Sequence, residues 1–204
     1  MKLVLISDTH GRHRDLKLPE GDILIHAGDI SKHGELEVIA DFNDWLKPLP
    51  FQAKIVIAGN HDFCFEQVNG QALLSNAIYL QDSSVTISGT KFYGSPWQPR
   101  FCNMAFNLDR GELLRQKWDM IPSDTDILIT HSPPQGVCDQ ILRGDFVGCQ
   151  DLLEATERIK PKLHVFGHIH EAYGVFKDKY TTFVNASSCE IGYRSINKAI
   201  VFEL

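Results

Sequence analysis

The stretch LHVFGHIHEAYG, residues 163–174, sets an apolar tetrapeptide against two histidines, His168 and His170. Leu163–Phe166 has the length and composition of a buried strand. Gly167 permits a sharp turn, and two imidazoles follow, two positions apart. A solvated polar loop would read this way, and so would part of a metal site. In an extended backbone, residues two apart point to the same side, which would aim both rings into one place.

Four other apolar runs end in the same manner. LVLIS leads into Asp8-Thr9-His10, ILIHA into Gly28-Asp29, KIVIA into Gly59-Asn60-His61-Asp62, and ILIT into His131. Ligands of open α/β sheets bind beyond the carboxyl ends of the strands, and five such ends in one sheet would gather these groups at one edge. Asp8, His10, Asp29, Asn60, His131, His168 and His170 together offer carboxylate, amide and imidazole donors without a thiolate. That set suits first-row divalent metals, namely Mn, Fe, Zn or Co, with Mn favoured. Seven donors are too many for one tetrahedral site. They suit two divalent metal ions with one shared ligand, and Asp29 is the central carboxylate. Metal pairs about 3.5–4 Å apart are a recurrent device of phosphoryl transfer.

The rest of the chain reads as alternating short strands and helices. Strands are expected at Lys2–Ile6, Asp22–His26, Ala53–Ala58, Ile78–Leu80, Val85–Ser88, Lys91–Tyr93, Asp126–Thr130, Leu163–Phe166, Tyr173–Phe176, Thr182–Asn185 and Ala199–Phe202. Helices are expected over Glu35–Leu46, Gln67–Ser75, Asp109–Asp119 and Cys149–Lys160. The early βαβ pattern implies parallel strands and the later runs imply hairpins, so the class is α/β with mixed sheets. Residues 94–108, GSPWQPRFCNMAFNL, form a connection too long and too rich in Pro and aromatics to be routine.

With 204 residues and 43% apolar content, residues 1–204 are expected to form a single domain. The formal net charge of −6 disfavours general nucleic-acid binding. No apolar run approaches the ~18 residues of a membrane span, and no signal peptide is visible, so a cytoplasmic protein without membrane contact is expected. The five cysteines are odd in number, and no CxxC occurs. They suggest reduced thiols rather than a disulfide framework.

DTH, GD, GNHD, a lone His after a strand, and GHIH, in that order, resemble the calcineurin-like metallophosphoesterase superfamily. The resemblance runs from residue 3 to about residue 190. Within it, DTHGRH, GNHDF and YGSPWQPRFCNMAFN are similar to the small metallophosphoesterase-domain-containing proteins. The resemblance implies two mixed β-sheets packed as a sandwich and flanked by helices. It implies one metal held by Asp8, His10 and His170, a second by Asn60, His131 and His168, and Asp29 between them. It places His61 against the substrate as catalytic acid, with Asp62 orienting its imidazole. The activity it implies is hydrolysis of small phosphodiesters, such as cyclic nucleotides, by a hydroxide bridging the metals.

Candidate substrate contacts are Arg12 and His33 beside DTH and GD, and Trp97 and Arg100 in the long loop. Trp97 could stack a base and Arg100 pair with phosphate; alternatively the loop merely packs. His13 is read as a pocket-rim or solvated residue, and His26 and His164 as packed strand residues. Trp97, Phe101 and Phe106 either offer a homodimer contact or cover the site. A phosphomonoesterase or protein phosphatase, a nuclease and a non-catalytic binding scaffold are the competing readings. The intact donor set disfavours the scaffold.

Overall fold

The computed structural model describes residues 1–193 and 196–204. Its first sheet contains β1 (Lys2–Ile6), β2 (Ile23–Ala27), β3 (Ala53–Ile57) and β4 (Ile78–Tyr79), all parallel. Next come the hairpin strands β5 (Ser83–Ile87) and β6 (Thr90–Ser95), then the short parallel pair β7 (Gln98–Pro99) and β8 (Asn107–Leu108). The later strands are β9 (Ile127–Thr130), β10 (Leu163–Phe166), β11 (Gly174–Lys177), β12 (Thr182–Asn185) and β13 (Ile200–Glu203). β13 closes the first sheet antiparallel to β1. The second sheet runs β11-β12-β10-β9-β6-β5, with parallel central strands and an antiparallel strand at each edge.

The period-2 pattern explains why these strands stack as a sandwich. Leu3, Leu5, Ile23, Ile25, Ile55 and Ile57 face Phe92, Ile127, Ile129, Leu163 and Val165 across the sheet interface, all fully buried. The alternate residues Val4, Ile6, Leu24 and Val56 turn outward onto α1 (Leu36–Leu46), through Ile39, Phe42 and Leu46. On the far side, Tyr93 and Leu128 pack against Leu114, Trp118 and Leu152 of two further helices, Glu112–Asp119 and Gln150–Ile159. Each inner and outer face thus buries apolar side chains at roughly 1.5–3 kcal/mol apiece. The fold is the one the family resemblance implies.

Two details differ from the expectations. The strand ends lie in two sheets, because the β5–β6 hairpin ends the first parallel run and starts a new sheet; β1–β3 stay in the first, β9 and β10 in the second. Spacing along the chain cannot register that partition. The helix expected over Gln67–Ser75 is two single turns, Cys64–Gln67 and Gly70–Leu73, separated where the Asn69 side chain caps the second. The two sheets are stitched together at their carboxyl edges. Ser188 N–H donates to the Ser7 carbonyl (2.8 Å), and Cys189 N–H to the Asp8 carbonyl (3.2 Å). This edge carries the candidate site.

Candidate metal centre

The loops leaving β1, β2 and β10 are bent hard. Asp8, His10, Asp29 and His168 all adopt left-handed backbone, with φ of 51°, 45°, 59° and 68°. Such conformations cost of order 1–3 kcal/mol each and cluster where side chains must be aimed at a common point. The extended geometry expected across His168 and His170 is therefore absent. His168 is left-handed and His170 opens the 3-10 turn His170–Ala172. The two rings part company: His168 packs edge-on to His131 (centroids 5.1 Å apart), whereas His170 Nε2 lies 3.3 Å from His10 Nε2 and 3.3 Å from Asp8 Oδ1.

Three overlapping groups of donors result: Asp8, His10 and His170; Asp29, His131 and His168; and His10, Asp29 and His61. In each, the donor atoms lie within 4.8 Å of one another. Asn60 joins the second group, with Oδ1 2.8 Å from His131 Nε2. Asp29 Oδ2 stands between the groups, 3.8 Å from His10 Nε2 and 3.4 Å from His131 Nε2. All seven expected ligand residues are thus brought together.

Their ring tautomers suit cation binding. His10 donates Nδ1–H to the Ser31 carbonyl (3.0 Å) and His131 donates Nδ1–H to the Ala27 carbonyl (2.9 Å). Both are left with Nε2 facing the cluster, the arrangement by which backbone carbonyls orient metal-ligating histidines. The donor set contains no thiolate and fits first-row divalent cations. Close approach is built in. A Cβ on Gly167 would overlap Asp8 Oδ2 and Ser7 Oγ, and one on Gly59 would overlap Asp29 Oδ1.

Electrostatics divide the groups. Burial alone would raise the carboxyl of Asp8, but its contact with His170 and the nearby imidazoles hold it well below the usual range. Burial likewise opposes ionisation of Asp29, and His131 and His10 overcome it. Burial disfavours the imidazolium of His131, yet Asp29 outweighs it and lifts the pKa to about 9. His168, buried and next to His131, is pushed down to about 3. The cluster therefore carries ionised carboxylates whose partners are protons that a cation can displace.

His61 sits at the mouth with its side chain 24% exposed. Its Nδ1–H donates to the Lys32 carbonyl (2.6 Å), leaving Nε2 4.0 Å from Asp29 Oδ2. The expected orientation of this ring by Asp62 is not found. Asp62 is fully buried and accepts from the N–H groups of Ile30, Ser31 and Gly59 and from Ser31 Oγ. It ties the Asp29 loop to the Asn60 loop, which is a positioning task. Burial, with help from Asp29, raises its carboxyl to about 6.

The substrate-contact expectations fare unevenly. His33 is exposed beside His61, ring centroids 6.3 Å apart. Arg12 is engaged by Asp15 (2.9 Å) and the Tyr193 carbonyl (2.6 Å), so it braces the rim. Arg100 is exposed, bonded to Asp109 (2.6 Å), and lines a groove next to His168. Trp97 cannot stack a substrate base: its indole N–H is held by Asp82 (2.8 Å), Lys117 lies over its ring, and Phe106 packs edge-on. Of the three aromatics expected at a dimer surface only Phe101 is exposed; Phe106 is buried and Trp97 half-buried. His13 is neither rim nor solvated. It is buried against Phe42 and Trp45 and bonded to Asp41.

Residues that the sequence reading missed complete the site. Ser187 donates its hydroxyl to Asp8 Oδ2 (3.0 Å). Tyr193 packs edge-on to His10 and His170 at 4.6 and 5.7 Å and lines the mouth. Neither stands in a short motif, so no local signal marks them.

The family model for calcineurin-like phosphoesterases matches residues 1–172. Over its whole length the chain is 46% identical to metallophosphoesterase domain-containing protein 1 of Homo sapiens and covers 71% of it. It is 41% identical to a UPF0046 protein of Caenorhabditis elegans, over 99% of this chain and 74% of that protein. The solved structure of GAP50, the anchor in the inner membrane complex of Plasmodium, superposes with a TM-score of 0.51. It is 13% identical over 92% of this chain and 71% of that one, a likeness of fold alone. Among the described residues no helix is long and apolar enough to cross a membrane.

Proposed function

Because this chain belongs to the calcineurin-like phosphoesterase family, we propose that it is a metal-dependent hydrolase of small phosphodiesters, such as cyclic nucleotides. The observation that carries the proposal is the place of Asp29, one buried carboxylate standing between two otherwise separate donor groups. Asp8, His10 and His170 would hold one divalent cation, and Asn60, His131 and His168 the other, with Asp29 shared; Mn, Fe, Zn and Co all suit these donors, and Mn is favoured. When bound, such a pair supplies Lewis acidity at phosphoryl oxygens and lowers the pKa of water.

The chain's own groups supply the rest. The mouth, about 240 Å³, is lined by Asp29, Asn60, His61, His168, His170 and Tyr193. His61 keeps Nδ1–H on the Lys32 carbonyl, so Nε2 is the atom that can deliver a proton to the leaving oxygen. Arg12 is spent on Asp15 and the Tyr193 carbonyl. The preference for a diester rests on the resemblance to the small metallophosphoesterase-domain-containing proteins. GAP50, which this chain resembles in fold alone, is an anchor in the inner membrane complex of Plasmodium. This chain's complete donor set favours catalysis over a scaffold role.

The test separates ligand from acid. Asp29→Ala is expected to abolish turnover and metal retention together. His61→Ala is expected to keep its metals and lose roughly 10²–10⁴-fold in rate. Loss of metal from His61→Ala would make His61 a ligand and overturn its role as acid.

A further inference from the structure

Beside the mouth lies a second cavity of about 470 Å³, within the range of small-molecule sites. His168, Phe101 and Glu171 line both, so the two are continuous across a shared ridge. Resting on the hydrolase reading above, we propose that this groove receives the organic group of the ester, and that it takes a ring-bearing group carrying an acidic substituent.

Three observations carry this. The first is Ser132, the residue after His131. It lines the groove, is only 2% exposed, and its Oγ has no hydrogen-bond partner. A buried orphan hydroxyl is costly unless something supplies its partner, and a ligand in the groove can.

The second is the wall. Phe101 and Leu142 are 60% and 80% exposed, yet both face the groove, with Ile141, Val147 and Ile169 behind them. Large apolar side chains left open around one concavity mark a binding site for an apolar body.

The third is charge. Arg100, Arg110 and Arg143 border the groove in a protein of net charge −6. Arg100 is neutralised by Asp109. Arg110 bonds only uncharged carbonyls, those of Gly148 (2.7 Å) and Val147 (2.8 Å), and keeps its full charge. Arg143 is exposed and forms no salt bridge among the described residues. Glu171 offsets one charge and is turned to the Leu142 N–H (3.1 Å). The balance remains cationic, which suits an acidic substituent on the ring.

The test uses non-hydrolysable diester mimics with the same phosphonate head: methyl methylphosphonate, methyl benzylphosphonate and methyl 4-carboxybenzylphosphonate. Their binding to Mn²⁺-supplemented protein is measured by calorimetry. The benzyl compound should bind several-fold tighter than the methyl one, and the carboxybenzyl compound about tenfold tighter again. In Arg143→Ala the carboxybenzyl-to-benzyl ratio should fall towards one, and in Leu142→Ala the benzyl-to-methyl ratio should fall. Both residues are surface-exposed, so folding is not at stake. Equal binding of all three compounds, no binding of any, or ratios unchanged in the variants would overturn the groove. Turnover of methyl p-nitrophenyl phosphate, run in parallel, separates the two ideas. Turnover without discrimination removes the groove and leaves the hydrolase; discrimination without turnover does the reverse.

Discussion

Replacing Gly167 by alanine adds one methyl group at the point where the two sheets meet. Built on the existing backbone, that methyl overlaps Asp8 Oδ2 and Ser7 Oγ and stands 2.7 Å from Ser7 Cβ, against 3.4 Å for ordinary contact. Something must move by most of an ångström or more. The Ser7 side is fixed by its hydroxyl bond to the Gly28 carbonyl (3.2 Å) and by the backbone bond from Ser188. The Asp8 carboxylate is therefore the group that yields, breaking its bonds from His168 N–H and Ser187. Overpacking of this kind costs about 1–3 kcal/mol. For a chain of this length about 2 kcal/mol corresponds to roughly 4–8 °C in Tm. The effect on function should be larger, because a ligand displaced by about 1 Å costs on the order of 10²-fold in rate. Gly89→Ala is the control: its φ of +80° makes alanine cost about 1 kcal/mol, with nothing within 4 Å of the new methyl. The assay is Mn²⁺ affinity, read from free-ion EPR, beside thermal melting. Gly167→Ala should bind at least about tenfold more weakly, and Gly89→Ala like the parent chain. Unaltered Mn²⁺ binding in Gly167→Ala would refute the claim that Asp8 is held in place by the absence of a side chain there.

His26 and His164 are fully buried, and burial pushes both down to about 3, so their folded forms resist protonation while an unfolded chain accepts it below about 6.5. Their stability contribution is complete above pH 6.5 and is lost as pH falls towards 3; denaturant titrations of His164→Leu should show a slope shallower than the parent's by roughly 1 kcal/mol per pH unit. Trp97→Ala should lose about 2–4 kcal/mol in stability, since packing against Phe106 and the bond to Asp82 go together, while KM for a nucleotide diester stays put; a raised KM at unchanged Tm would return Trp97 to the substrate. Ser187→Ala removes the hydroxyl donor to buried Asp8 and should weaken Mn²⁺ binding several-fold with the fold intact, as checked by circular dichroism.

The candidate ligand set was legible because five strands, β1, β2, β3, β9 and β10, run into Asp, Asn or His, and three of these ends are marked twice, by the close of an apolar run and by a glycine. Asp29, Asn60 and His168 were found by both marks, Asp8 and His131 by the close of the apolar run alone. Which strands share a sheet was not legible from spacing, since β3 and β9 end alike and only the β5–β6 hairpin between them reveals the break. The geometry at His168 was missed because the left-handed backbone of a non-glycine residue has no signature in composition. Contacts set by tertiary packing were equally hidden. Asp62 adjoins His61 in the chain but faces the opposite loop, and Trp97 sits in a motif that looks like a lid yet packs inward. The groove lies beyond sequence reasoning for the same reason: Ser132 follows the candidate ligand His131, whereas Leu142 and Arg143 reach it from a loop with no periodic pattern.

The most direct test strips the protein with chelator and adds back Mn²⁺ in steps, following cleavage of bis-p-nitrophenyl phosphate and p-nitrophenyl phosphate side by side. The account predicts no cleavage without metal, a rise that saturates at two Mn²⁺ per chain, and preference for the diester. Saturation at one Mn²⁺, or cleavage that survives complete removal of metal, would contradict a shared Asp29 between two cations; preference for the monoester would contradict the substrate class.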